Sequence, residues 1–119
     1  MTFRASADPH WLRGLEAFRA GRFFEAHEEW ERLWREASGE DRRFLQGLIQ
    51  LAAALVHLER GRTAPAARLL SLSREKLAPF RDGFGGLALG RLWDLIEAAP
   101  DGEPGALDAG ALARELSPS

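Results

Sequence analysis

The strongest constraint on the fold is a run of apolar residues in the middle of the chain, at positions 48–58. Leucine, isoleucine, alanine and valine fill this run, and Gln50 and His57 are the polar exceptions. A membrane-spanning helix needs about 20 apolar residues, so a run of 11 is expected to be a buried helix. Its apolar residues cover almost the whole circumference of a helical wheel, which is typical of a helix enclosed by neighbours. The run therefore predicts an all-α bundle with this helix at its centre.

Glycine and proline divide the rest of the chain into further helical segments. Asp8 and Pro9 are typical of a helix start, because aspartate caps free N–H groups and proline is tolerated in the first turn. Gly21 and Gly61 are typical of helix ends, and Thr63 is predicted to cap the helix that follows. No segment shows the alternation typical of a half-buried strand. The predicted helices cover about residues 9–20, 22–37, 40–60, 63–78 and 87–99.

Two segments share a pattern that resembles the centre of a tetratricopeptide hairpin. Each has a glycine at the corner, an alanine five residues later and a large apolar residue four positions beyond that. The glycines, Gly21 and Gly61, are 40 residues apart rather than at the repeat length of that family. We therefore predict a compact bundle of about five helices built from two antiparallel helical hairpins. It is expected to occupy residues 1–100, with a linker and a weak C-terminal helix or tail at 101–119.

Composition narrows the class of protein. The chain has 119 residues, enough for one domain, and a formal net charge of -2 with acids and bases interleaved. The basic residues are not clustered in the sequence, so the charge pattern does not indicate a nucleic-acid-binding surface. There is no cysteine, which removes thiolate metal sites and disulfides. The N-terminal stretch lacks the apolar core of a signal peptide, so a soluble cytoplasmic protein without membrane attachment is expected.

The second predicted helix presents a histidine on its apolar face. On the helical wheel His27 falls in the middle of that face, together with Trp30. Glu28 and Glu31 fall at the boundary, each four residues before an arginine, so a solvated salt-bridged edge is the alternative interpretation. His27 to Glu31 also approaches the zinc-protease pattern H-E-x-x-H, but Glu31 replaces the second histidine and the peptidase signature fails.

The central helix carries three polar side chains in one stripe. Gln46, Gln50 and His57 are spaced four and seven residues apart, which places them on the same side of a helix. A buried polar group without a partner costs about 1–3 kcal/mol, so each of them needs one. On the neighbouring helix, His27 and the boundary carboxylates Glu28 and Glu31 are the expected partners. The pattern therefore predicts a buried polar seam between the second and third helices.

Three interpretations of this seam remain open. In the first, His27 and the glutamines hydrogen-bond each other and fix the register of the helices. In the second, His27 and Glu31, one turn apart, bind a divalent metal with His57 or Glu28. In the third, the seam lines a pocket for a small polar ligand or for acid–base chemistry. The catalytic residues, if there are any, are not identified by a recognised motif.

Other patterns are weaker. The glycine-rich stretch at 83–88 can be aligned with a dinucleotide-binding motif, but no strand precedes it and a flexible turn is the better interpretation. Large aromatic residues at helical spacing usually belong to a core. The four tryptophans, Trp11, Trp30, Trp34 and Trp93, are therefore predicted to be core residues, with an interface as the alternative for Trp11 and Trp93.

Two stretches resemble a family of small bacterial and archaeal helical proteins, domain of unknown function 309. FRAGRFFEAHEEWERLWR at 18–35 matches its F-x-E-A-H-E-x-W-E-x-x-W motif, and QGLIQLAAA at 46–54 matches its Q-G-L-I-Q-x-A-A-A motif. The first motif is carried by Phe23 or Phe24, Glu25, Ala26, His27, Glu28, Trp30, Glu31 and Trp34. The resemblance covers roughly residues 9–78 and implies an all-helical bundle without an established activity.

Together these observations favour a non-enzymatic binding or protein-interaction module. Its partner is expected to be another protein or a second copy of the chain, with neither nucleic acid nor membrane. No cofactor is expected. The alternative is a metal-dependent or small-ligand enzyme that uses the seam residues, which are His27, Glu28, Glu31, Gln46, Gln50 and His57.

Overall fold

Six α-helices and one minimal strand pair make up the part of the chain that the computed structural model describes, residues 8–99 and 103–118. The helices are α1 Pro9–Arg19, α2 Phe23–Glu36, α3 Gly39–Glu59, α4 Thr63–Leu77, α5 Gly90–Ala98 and α6 Ala109–Glu115. Single 3-10 turns lie at Ala78–Phe80 and Pro104–Ala106. Strand β1, Leu87–Ala88, pairs antiparallel with β2, Ser117–Pro118. The all-α class is confirmed, and the expected count of five helices is corrected to six.

Local chemistry explains where the helices begin. The Asp8 carboxylate accepts hydrogen bonds from the backbone N–H groups of His10 and Trp11, at 2.8 and 3.4 Å, so α1 starts as predicted. The fourth helix was expected to be capped by Thr63, but Thr63 is its first residue and Arg62 before it makes no side-chain cap. The fifth begins at Gly90 rather than near 87, because Leu87–Ala88 pairs with β2.

Two similar turns reverse the chain at Gly21 and Gly61. Both glycines have positive φ, 80° and 70°, a conformation that costs glycine little. The N–H of Arg22 donates to Ala17 O, and that of Arg62 donates to His57 O, each at 2.8 Å. The turns bring α1 against α2 and α3 against α4. Whether these pairs form tetratricopeptide-like hairpins stays a prediction.

An aromatic stack joins α1 to α2. The rings of Trp11 and Trp30 lie 5.4 Å apart with an interplanar angle of 18°, and Phe18 lies 5.6 Å from Trp30. All three side chains are completely buried. The indole of Trp30 rests on Gly14, where an added Cβ would lie 2.2 Å from Trp30 Nε1. A side chain at position 14 would therefore separate the two helices.

The central helix α3 packs against both α2 and α4. On the α4 side, Gly47 allows a close approach, since a Cβ there would lie 2.6 Å from Leu77 Cγ. The buried hydroxyl of Ser73 donates to Gly47 O at 2.8 Å. With one side of α3 facing α2 and another facing α4, the stripe that carries the two glutamines and the histidine is left half-buried at the surface.

The C-terminal residues pack onto the same core. Leu107, Leu112 and Leu116 are buried in it, and α6 lies in the region for which a linker and a weak C-terminal helix or tail were predicted. Two arginines hold this part by donating to main-chain carbonyls. The first, Arg19, donates from Nε to Leu116 O at 3.1 Å. The proposed boundary at residue 100 falls within residues 100–102, outside the described part of the chain.

The second arginine is Arg74 on α4. Its guanidinium donates to Ile96 O at 3.0 Å and also to Ala99 O, so it holds the C-terminal end of α5.

Within the described ranges, no helix is both long enough and apolar enough to cross a bilayer.

Candidate functional site

The polar stripe of α3 and the histidine of α2 face each other across a groove. This α2–α3 groove consists of two adjoining clefts that share His27. The first, of about 200 Å³, is lined by His27, Glu31, Trp34, Gln46, Ile49 and Gln50. The second, of about 170 Å³, is lined by Phe24, His27, Ala53, Val56, His57 and Arg60.

Five of the six predicted site residues line this groove. His27 and Glu31 come from α2, and Gln46, Gln50 and His57 come from α3. These five side chains therefore lie on the sides of α2 and α3 that border the groove.

The sixth residue, Glu28, lies elsewhere. It is exposed and lines a cleft of about 380 Å³ between α1 and α2. In that cleft Glu29 Oε2 lies 2.8 Å from His10 Nδ1 and 3.4 Å from Arg13 Nε. The hydrogen bond from His10, opposed by partial burial and assisted by Arg13, lowers the pKa of the Glu29 carboxyl below its usual value. Glu28 follows His27 by one residue, about 100° around the helix, and so faces α1 instead of α3.

The groove is more exposed than the sequence suggested. Side-chain exposure is 28% for His27 and 36% for Glu31, where a buried seam was expected. The reason is geometric, because α4 covers the opposite side of α3 and no described helix covers the outer edge of the α2–α3 contact. The seam is therefore a solvent-facing strip.

Several polar atoms along this strip are covered by protein yet have no hydrogen-bond partner among the described residues. They are His27 Nδ1, Trp34 Nε1, Gln50 Oε1 and His57 Nδ1. The hydrogen bonds expected between His27 and the glutamines do not form at these atoms. His27 Nε2 lies 3.7 Å from Glu31 Oε2, an ion-pair distance beyond hydrogen-bonding range. A covered polar group that finds no hydrogen-bond partner costs about 1–3 kcal/mol.

Each end of the groove has an aromatic ring with an arginine over it. At one end Phe24 is 52% exposed, and its ring stacks on His27 with the two ring centroids 6.1 Å apart. The Arg60 guanidinium lies 5.9 Å from the centroid of the Phe24 ring. At the other end the Arg42 guanidinium lies 3.9 Å from the centroid of Trp34. Both distances fall within the cation–π range.

Sequence reasoning missed these ends, since Trp34 was assigned to the core and Phe24 was noted only as part of a family motif. The available signal was spacing. Phe24 and Trp34 lie three residues before and seven residues after His27, so all three share one face of α2. An extended apolar face around a polar residue is a pattern that a search for catalytic motifs does not detect.

The candidate metal ligands are not assembled as a set. Among the residues that the structure describes, no three His, Cys, Asp or Glu side chains are grouped closely enough to hold a metal ion. His27 and Glu31 form a pair, and His57 lies in the adjoining cleft.

The described part of the chain is thus a small all-helical protein with a solvent-facing strip between two of its helices. Residues 11–69 match the family model described as Domain of unknown function (DUF309). The chain belongs to this family through that region, which spans most of α1, all of α2 and α3 and the first part of α4. Both motifs and the whole α2–α3 groove fall inside it.

A curated relative supports the assignment. The chain is 40% identical over 88 residues to the Uncharacterized protein YpuF of Bacillus subtilis (strain 168). The match covers 71% of this chain and 51% of the relative, so the chain spans about half the length of that protein. No solved structure matches the chain significantly.

Proposed function

We propose that the chain is a non-enzymatic protein-interaction module and that its α2–α3 groove binds a segment of a partner protein. The observation that carries this proposal is the linear arrangement of the groove, with two open clefts in a row and an aromatic–arginine pair at each end. Tryptophan and arginine are enriched among the residues that dominate binding energy at protein interfaces. An exposed phenylalanine beside them adds apolar area for a partner to cover.

The dimensions of the groove support a protein segment over a small molecule. Its space is divided between two open clefts of about 200 and 170 Å³, whereas a small ligand is usually enclosed by one concave pocket of roughly 300–1,000 Å³. A segment lying along the groove would cover both clefts and both rings at once.

The unpaired polar atoms give the groove a means of selection. Gln50 Oε1 and the imidazole Nδ1 atoms are covered, so their side chains must rotate before a partner can use them. A partner that supplies matching groups would relieve a cost that the free protein bears.

The proposal also includes a tetratricopeptide-like pairing of the helices, which the contacts around Gly21 and Gly61 support. It includes a cytoplasmic location, which the absence of cysteine supports.

The second candidate is an enzyme for a small polar ligand, and the observation in its favour is the pair formed by His27 and Glu31. Their Nε2 and Oε2 atoms are 3.7 Å apart at the edge of a cleft lined by Gln46 and Gln50. A carboxylate in this position would orient the imidazole for proton transfer. A metal-dependent version would show about one metal per chain in protein purified without chelator.

The test of the proposed function is selection from a random peptide library displayed on phage, with the purified chain as bait. We expect enriched peptides whose binding is lost in Phe24→Ser. The matched control is Leu72→Ser, which alters another exposed apolar side chain, on α4 and outside the groove, with 38% exposure. Far-UV circular dichroism verifies that both variants are folded.

Enriched peptides that bind the Phe24→Ser and Leu72→Ser variants equally would refute the proposal. So would a library from which no peptide is enriched above the level obtained with an unrelated helical bundle as bait.

A further inference from the structure

We propose that the segment bound in the α2–α3 groove is an amphipathic helix with acidic residues at both ends and an apolar stripe between them. This inference rests on the function proposed above and names the chemistry of the partner. The charges at the two ends of the groove and the apolar surface between them are the observations that carry it.

The ends of the groove present positive charge. Arg60 and Arg42 are both exposed, and each guanidinium lies over a ring, which leaves its outer face and edge available. A guanidinium in this position can still take a carboxylate in a bidentate contact. The acid inside the groove is already balanced, because Glu31 lies 3.5 Å from Arg35 and 3.7 Å from His27.

Apolar side chains line part of the groove beside its polar strip, and the groove has the right length for about three helical turns. Phe24 and Trp34 are ten positions apart on α2, which corresponds to about 15 Å along a helix. Ala53, Val56 and Ile49 line the side formed by α3. A helix laid along this surface would place apolar residues over the Phe24 ring and the cleft walls, as helices do in other hydrophobic grooves.

Charge also argues against a second copy of this chain as the occupant. A two-fold contact through the groove would place its Arg42 end against either the Arg42 end or the Arg60 end of the other copy. Cations would then meet cations in both arrangements. An acidic partner has the opposite effect at each end.

The test uses a displayed library of amphipathic peptides of about 14 residues, long enough to cover the groove with part of a turn to spare at each end. Every peptide in the library carries leucine at the positions that form its apolar stripe. The residues at each end of the peptide vary among Glu, Gln and Lys. We expect selection on the wild-type chain to enrich Glu at both ends. Raising the salt concentration from about 50 to about 500 mM should weaken binding of the selected peptides, because salt screens the ion pairs.

Single arginine variants locate the two contacts. Arg42→Gln should remove the preference for Glu at one end of the peptide, and Arg60→Gln should remove it at the other. Each substitution should weaken binding of the best peptide by about two- to fivefold, as expected for exposed ion pairs. The control is Arg43→Gln, an exposed arginine adjacent to Arg42 that does not line the groove.

Three results would overturn the inference. The first is enrichment of Lys or Gln at the ends of the selected peptides. The second is an unchanged preference for Glu in both arginine variants. The third is self-association of the chain that disappears in Phe24→Ser, which would assign the groove to a second copy. Binders that depend on Phe24 but lack acidic ends would leave the interaction module intact and refute only this inference, whereas a lack of any such binder would refute the module itself.

Discussion

Replacing Gly14 with alanine tests the packing that positions α2, and with it one wall of the groove. An ideal Cβ at position 14 would lie 2.2 Å from Trp30 Nε1 and 2.4 Å from Trp30 Cδ1. The indole cannot move aside, because it is completely buried and stacked on Trp11 at 5.4 Å. The two helices must therefore separate by about 1 Å to restore ordinary contact distances.

The magnitude follows from two opposing effects. Overpacking a well-ordered core costs about 1–3 kcal/mol, and a fixed ring at so short a distance places Gly14→Ala near the upper end. Alanine regains about 1 kcal/mol relative to glycine within a helix. We therefore expect the free energy of unfolding to fall by about 2 kcal/mol.

Urea denaturation followed by far-UV circular dichroism measures this change. The matched control is Gly110→Ala in α6, where the nearest atoms to the added Cβ are at 3.5 and 3.6 Å, an ordinary contact. That variant should be as stable as the wild type or more stable, by up to about 1 kcal/mol. In a Trp30→Phe background, Gly14→Ala should cost less, because the smaller ring leaves room. A Gly14→Ala protein as stable as the wild type would show that Trp30 does not rest on α1 as described.

Three further predictions concern single side chains. Gln50→Met should raise the free energy of unfolding by about 1 kcal/mol, because it removes a covered oxygen that has no partner; a decrease in urea denaturation would mean that the amide is hydrogen-bonded. Folding lowers the pKa of Glu29 below its ordinary value of 4.5. The ionised carboxylate therefore adds to the free energy of unfolding above pH 4.5, and this contribution is lost as the pH falls through the lower pKa of the folded state. The urea midpoint should therefore drop more between neutral and acidic pH for the wild type than for Glu29→Gln, and equal drops would contradict the assignment. Arg74→Met should cost about 1.5–3 kcal/mol through its lost carbonyl contacts, and amide exchange should accelerate in α5 more than in α1.

Helices that are strongly patterned were predictable from the sequence, while short elements depending on distant residues were not. Gly21 and Gly61 need a conformation that few residues other than glycine adopt easily, so their positions gave the ends of α1 and α3 to within a residue or two. The start of α5 was wrong, because Leu87 pairs with Pro118, a residue 31 positions away that no local pattern indicates.

The candidate site shows the same division. The spacing of His27, Gln46 and Gln50 predicted that they meet between α2 and α3, since helical geometry alone decides which side each residue faces. Their exposure was not predictable, because it depends on which edge of α3 remains uncovered once Leu77 and Ser73 of α4 have packed on Gly47. Trp34 packs against the core, as its spacing predicted, but it is only partly buried, because no described helix covers its outer side.

The arginine contacts to main-chain carbonyls have a consequence for how this chain can vary. Arg19 donates to the backbone oxygen of Leu116. Arg74 donates to the backbone oxygens of Ile96 and Ala99. Every amino acid has such an oxygen. Substitutions in α5 and α6 that keep the path of the backbone preserve those anchors whatever the new side chain is. Exposed positions of α5 and α6 can therefore change without loss of these attachments to α1 and α4.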